Sequence, residues 1–211
     1  AGDEPLGLVQ PRESVWLVGI EPGACRSEIL DPEADGEVRQ GAEREAGFGR
    51  APVMGVRQSS DGSNRISLIR FRLPSDIAAA KRVMLRVHGH VDGPSGAAFD
   101  HLVYGMPDSG WDEQTLNAAH APGICRTVSA VAKVDLTTRP VGHLSFVPGE
   151  SARTAWLDVT SFAQEHPGDG VTFVLIKEKK YADDDFHSYT ATFSTREDPQ
   201  VERRPALELW R

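Results

Sequence analysis

The chain has 211 residues, 31 acidic against 23 basic, and a formal net charge of -8. That acidic surplus argues against a broad nucleic-acid surface or an anionic membrane as partner, though not against a small basic patch. No apolar run approaches the ~20 residues that span a bilayer.

Residues 1–14 are polar with two prolines and read as a lead-in or linker. The start, Ala-Gly-Asp-Glu-Pro, lacks the basic and hydrophobic regions of a signal peptide, so an intracellular protein or a mature or excised form is expected. Val15 to Ile20 reads as a short strand. Glu21 to Arg50 is rich in charge, Gly and Ala and reads as a long surface excursion, with a helical turn near Glu43 to Ala46. Val53 to Val56 is a short strand, and Asp61-Gly62 is the corner of the turn that follows.

Asn64 to Leu73 is the clearest strand of the chain. Its side chains alternate so that Ile66 and Leu68 share one face and Ile69, Phe71 and Leu73 the other. Apolar groups on both faces predict a strand covered on both sides. Arg65, Arg70 and Arg72 run through it, and buried guanidinium groups need acidic or carbonyl partners. Two readings follow: internal ion pairs, or a basic face that meets an acidic ligand.

Pro74 ends that strand, and a helical turn capped by Ser75 or Asp76 follows. Further strands are expected at Arg82–Val91, His101–Met106, Val128–Leu136, Gly142–Val147, Ala155–Val159, Val171–Glu178, Tyr189–Ser194 and Ala206–Trp210. A short helix is expected from Thr160 to His166. About ten strands with turn chemistry between them predict an all-β protein, an antiparallel β-sandwich or jelly roll with short helical turns. Residues 15–211 are expected to form that single domain, as a monomer.

Familiar enzyme signatures, the P-loop and zinc spacings are absent. Cys25 and Cys125 either pair, closing a loop of about 100 residues, or stay free thiols. His88 and His90 share a strand face and would need a third ligand, such as His101, to hold a metal. Asp183, Asp184 and Asp185 form a carboxylate run that suits calcium or simply a solvated turn; no cofactor is required. Lys177, Lys179, Tyr181, His187 and Tyr189 gather cations and aromatic rings near one sheet end, with Tyr104 as a further candidate. Such a mixture suits an acidic sugar, because cations meet its carboxylates and rings cover its apolar faces. Tyr189, His187 and Arg196 can also be cast as the base and neutralising group of a lyase.

Four stretches together resemble the DNRLRE domain, similar to carbohydrate-binding module family 96. They are Asn64-Arg65 through Arg70-Phe71-Arg72-Leu73; Gly110-Trp111-Asp112-Glu113 with Ala121-Pro122; Trp156-Leu157-Asp158-Val159-Thr160; and Ser194-Thr195-Arg196-Glu197 with Arg204-Pro205-Ala206-Leu207. The strand has Arg72 where the family usually has Asp. The resemblance implies a jelly-roll module of secreted or cell-surface multidomain proteins, often beside polysaccharide-degrading domains. It implies a non-catalytic module for an acidic polysaccharide such as alginate. A ligand-free spacer domain and a polysaccharide lyase are the alternatives. Trp111, Trp156 and Asp158 then read as core and corner residues, Asp158 as the cap of the helix at Thr160. Glu197 is the expected partner of Arg70 or Arg65.

Overall fold

The computed structural model describes residues 27–59, 62–107, 110–125, 133–135, 138–177 and 189–211. Its strands are β1 (Ser27–Leu30), β2 (Ala34–Arg39), β3 (Val53–Val56), β4 (Arg65–Arg72), β5 (Arg82–Val91), β6 (Phe99–Pro107), β7 (Arg139–Phe146), β8 (Arg153–Asp158), β9 (Gly170–Lys177), β10 (Ala191–Ser194) and β11 (Ala206–Trp210). A single short helix, α1 (Thr160–Gln164), follows β8 among the described residues. The strands form two antiparallel sheets, as the alternation predicts. One runs β2-β4-β9-β6-β7. In the other, β11 and β10 pair with β5, extended outward by β1 and β3, and β8 also pairs with β5. The expected strand at Val15–Ile20 lies outside the described residues.

The inner faces of the two sheets meet in a core built on Phe71, Phe173, Phe193, Leu85 and Leu175, all fully buried. Each such side chain contributes on the order of 1.5–3 kcal/mol by leaving water. A second apolar cluster lies on the outer face of the five-stranded sheet. There Ile66, Leu68, Val174 and Ile176 are covered by Trp111, Leu116, Ala121 and Ile124 of the segment after β6. Strand β4 is therefore covered on both faces, with Ile66 and Leu68 in one cluster and Ile69, Phe71 and Leu73 in the other.

The acidic, glycine-rich stretch before residue 50 differs from its reading as a surface excursion. Within it β1 pairs with β11 and β2 pairs with β4. Asp35 is fully buried and Glu37 nearly so. Glu37 accepts a hydrogen bond from the Gly55 amide and one from Arg39 Nε at 2.5 Å. The glycines serve close packing: a Cβ on Gly49 would sit 1.8 Å from the Glu113 carbonyl oxygen. These acids are tolerated inside because main-chain amides and one arginine meet them, partners that local pattern does not reveal. A 3-10 turn at Gly41–Glu43 stands near the expected helical turn. The turn at Ile77–Ala79 has no side-chain cap, and Asp76 binds Arg211 instead.

Trp156 is also a correction. It is 51% exposed, on the outer face of the six-stranded sheet, whereas Ala155 beside it is buried inward. Trp111 is buried as expected, its Nε1 donating to Thr172 Oγ1 at 2.9 Å. Asp158 holds the start of α1, accepting from the Thr160 amide at 3.0 Å and from Thr160 Oγ1 at 2.6 Å.

Candidate functional site

At the sheet end where β9 finishes, Lys177 Nζ lies 4.3 Å from the centre of the Phe99 ring, and Phe99 meets Tyr189 edge-on at 5.9 Å. Two of the predicted ligand residues thus share one aromatic partner. Tyr104 is not with them. It packs against the cluster on the outer face of the five-stranded sheet, because residues 101 and 104 of β6 point to opposite sides. Lys179, Tyr181, His187, the run Asp183–Asp185 and Cys25 fall outside the described residues, and with them the Cys25–Cys125 pairing. Cys125 has its thiol against the Val134 carbonyl oxygen at 3.3 Å.

The lyase grouping does not assemble around Tyr189 and Arg196, which flank opposite ends of β10. Nor do the histidines converge. His88 and His90 face outward on β5, bonded to Thr154 at 3.0 Å and Asp92 at 3.1 Å. His101 is buried in the other sheet between Phe146 and Phe193, and burial pushes its pKa down to about 4. Among the described residues no group of three or more His, Cys, Asp and Glu is arranged to hold a metal ion.

The expected pairing of Arg70 or Arg65 with Glu197 is replaced by shorter-range partners. Arg70 pairs with Glu33 at 3.4 Å, donates to the Trp111 carbonyl and lies over the Trp111 ring. Arg65 sits at the far end of β4, where its backbone exchanges hydrogen bonds with Arg57. Glu197 is 3.7 Å from Arg196, its sequence neighbour. Arg196 gathers a cluster of acids. Its guanidinium reaches Glu113 at 3.5 Å and the Glu33 carbonyl, while its amide donates to Asp35 Oδ2 at 2.7 Å. Asp35 Oδ1 has no hydrogen-bond partner among the described residues. Burial, reinforced by Glu197 and Glu113, pushes the Asp35 carboxyl up to about 7. This cluster latches β2 to the segment after β6 and the turn after β10.

Another part of the sandwich holds a cleft. Where β8 passes into α1, a cleft of about 660 Å³ is lined by Lys81, Arg82, Arg139, Asp158, Ser161 and Glu165, with Pro140, Val141 and Phe162 supplying apolar wall. Each element delivers its part for a local reason. Lys81 precedes β5 and Arg82 begins it, Arg139 begins β7, and Asp158 closes β8 with the Thr160 amide bonded to it. Arg82 is 3.6 Å from Asp158, and Arg139 is 2.7 Å from Glu165, with its guanidinium over Phe162. All four side chains are about half exposed, so these pairs can open at modest cost. The arrangement offers fork-shaped donors, carboxylate acceptors and a short apolar wall, the mixture that sugar rings present in complement. Sequence reading missed this cleft, since its cations come from positions 81, 82 and 139. The one local signal was the Trp156–Thr160 motif that forms its rim.

The described residues thus form a two-sheet antiparallel β-sandwich with an open polar cleft where β8 passes into α1. The family model of carbohydrate-binding module family 96 matches residues 27–209, and the chain belongs to that family. Comparison with curated proteins gave no match.

Proposed function

We propose that this domain binds an acidic polysaccharide, such as alginate, through the cleft at the β8–α1 corner, and that it does so as a non-catalytic module of a secreted or cell-surface chain. Lys81, Arg82 and Arg139 around one recess carry the reading. Uronate carboxylates would exchange with Glu165 and Asp158 for the two arginines, whose present pairs are exposed and weakly held. Sugar hydroxyls would take up the released Asp158 and Glu165 carboxylates and Ser161, and the wall of Pro140 and Val141 would cover the apolar edge of a ring. Polymers of this kind lie outside cells, which supports an exported parent protein.

Affinity electrophoresis tests it. The domain is expected to be retarded in gels containing alginate and not in gels of neutral glucan, with retardation fading as salt rises. Arg139→Ala together with Lys81→Ala is expected to weaken binding about tenfold or more, the equivalent of about 1.4 kcal/mol. Lys177→Ala in the Phe99–Tyr189 cluster reports on the competing location: loss of binding there, with the cleft variants unaffected, overturns the cleft. Free mobility of the wild-type domain in every acidic gel overturns the acidic ligand altogether.

A further inference from the structure

The cleft does not end at its rim. Asp158, which lines it, shares the outward face of β8 with Trp156 and Thr154. Residues two apart on a strand are about 7 Å apart, so these three form a straight row leading away from the cleft. On β5 they stand opposite Met84, Arg86 and His88 respectively. The row therefore begins at the Arg82–Asp158 pair, passes over the Trp156 indole, and ends at Thr154, whose hydroxyl lies 3.0 Å from His88 Nδ1.

Trp156 is half in solvent. Arg86, its neighbour across the strand, pairs with Glu208 at 2.9 Å. Ile29, Val53, Trp156 and Val201 are the exposed large apolar side chains among the described residues, and Trp156 is the aromatic one. A single exposed apolar residue needs no explanation. An indole in line with a cleft, with hydrogen-bonding groups spaced on both sides of it, is a more specific arrangement. Rings of this kind take up the apolar face of a sugar, and flanking polar groups then fix its hydroxyls.

We infer that Trp156 is a second sugar subsite, continuing the cleft along β8, so that the domain binds an extended stretch of polysaccharide within a chain and not a chain end alone. This rests on the reading of the cleft as the sugar site. A sugar unit over the indole would meet Asp158 and Arg82 on the cleft side and Thr154 and His88 on the other. The occupant is the same acidic polymer, since Arg82 serves both positions.

Calorimetric titration with short and long oligouronates tests this, with indole fluorescence followed in parallel. The wild-type domain is expected to bind the long oligomer more tightly than the short one. Trp156→Ala is expected to abolish that gain, weakening the long oligomer about tenfold, whereas Trp156→Tyr keeps most of it. Because Trp156 is exposed, the melting temperature of both variants is expected to match the wild type, which separates lost binding from lost folding. If Trp156→Ala keeps the full length dependence while Arg139→Ala loses affinity for both lengths, the second subsite is wrong and the cleft stands. If the wild type binds neither oligomer, the cleft reading falls first and takes the subsite with it.

Discussion

The two sheets have the same alternating construction, yet their outer faces have opposite fates. On the five-stranded sheet, Ile66, Leu68, Val174 and Ile176 point outward and are buried again under Trp111, Leu116 and Ile124. On the six-stranded sheet, the outward row carries the exposed Arg82 and Trp156 beside His88 and the partly buried Arg86–Glu208 pair. Both faces display a tryptophan. One is buried and donates to a hydroxyl; the other is 51% exposed. The difference teaches that a long connection after β6 is spent on a second core, which leaves the opposite sheet and its corner cleft as the surface with chemistry to offer.

The comparison can be broken most severely in the shared core. Phe71→Ala is expected to cost about 3–5 kcal/mol, read as a lowered midpoint in urea unfolding. A loss below about 1 kcal/mol would mean the inner core is not the main support of both faces. Trp111→Ala is next. It removes the lid's largest ring and strands Thr172 Oγ1, and about 3 kcal/mol is expected, against no more than about 0.5 kcal/mol for Trp156→Ala. Equal losses from the two tryptophans would erase the contrast between the faces.

The acid cluster beside the lid gives a pH signature. In the folded protein Asp35 holds its proton up to about pH 7, well above its ordinary 3.8. Its stabilising contribution is complete below 3.8 and is lost as pH rises toward 7, because the unfolded chain releases the proton earlier. His101 acts in the other direction. Its pKa is lowered from 6.5 to about 4, so its contribution is complete above 6.5 and lost as pH falls toward 4. The two slopes oppose each other across the same window. Asp35→Asn is therefore expected to leave a stability that rises by a few kcal/mol from pH 4 to 7, where the wild type is flatter, measured by urea unfolding at each pH. An unchanged profile would mean Asp35 is ionised in the fold.

A smaller effect than those of Phe71 and Trp111 sharpens the role of Arg70. Its pair with Glu33 is partly exposed, but its bond to the Trp111 carbonyl ties β4 to the lid. Arg70→Ala is expected to cost about 1–3 kcal/mol, with Arg70→Lys recovering part of it. A Glu33→Gln change that matched it in size would put the ion pair, and not the carbonyl contact, in charge.

Much of the fold was legible in order along the chain. Period-two alternation placed β5, the apolar run Val171–Ile176 placed β9, and apolar groups at both parities of residues 66–73 announced a strand covered on two sides. The four motifs identified the family on residues whose work is structural, such as Trp111 and Asp158. Local pattern shows which side chains share a face and how the backbone turns, since those depend on near neighbours. It does not show which face of a strand meets the core. A shift of one residue exchanges the two faces, and for Trp156 only packing against β5 set the phase. Nor does it show which acid answers which arginine. Glu33 for Arg70, the Arg196 amide for Asp35, and Arg139 beside Lys81 and Arg82 are encounters across long stretches of chain. The tertiary structure decided them, because the cost of burying a charge is met by whatever polar group folding brings within reach, wherever in the sequence it lies.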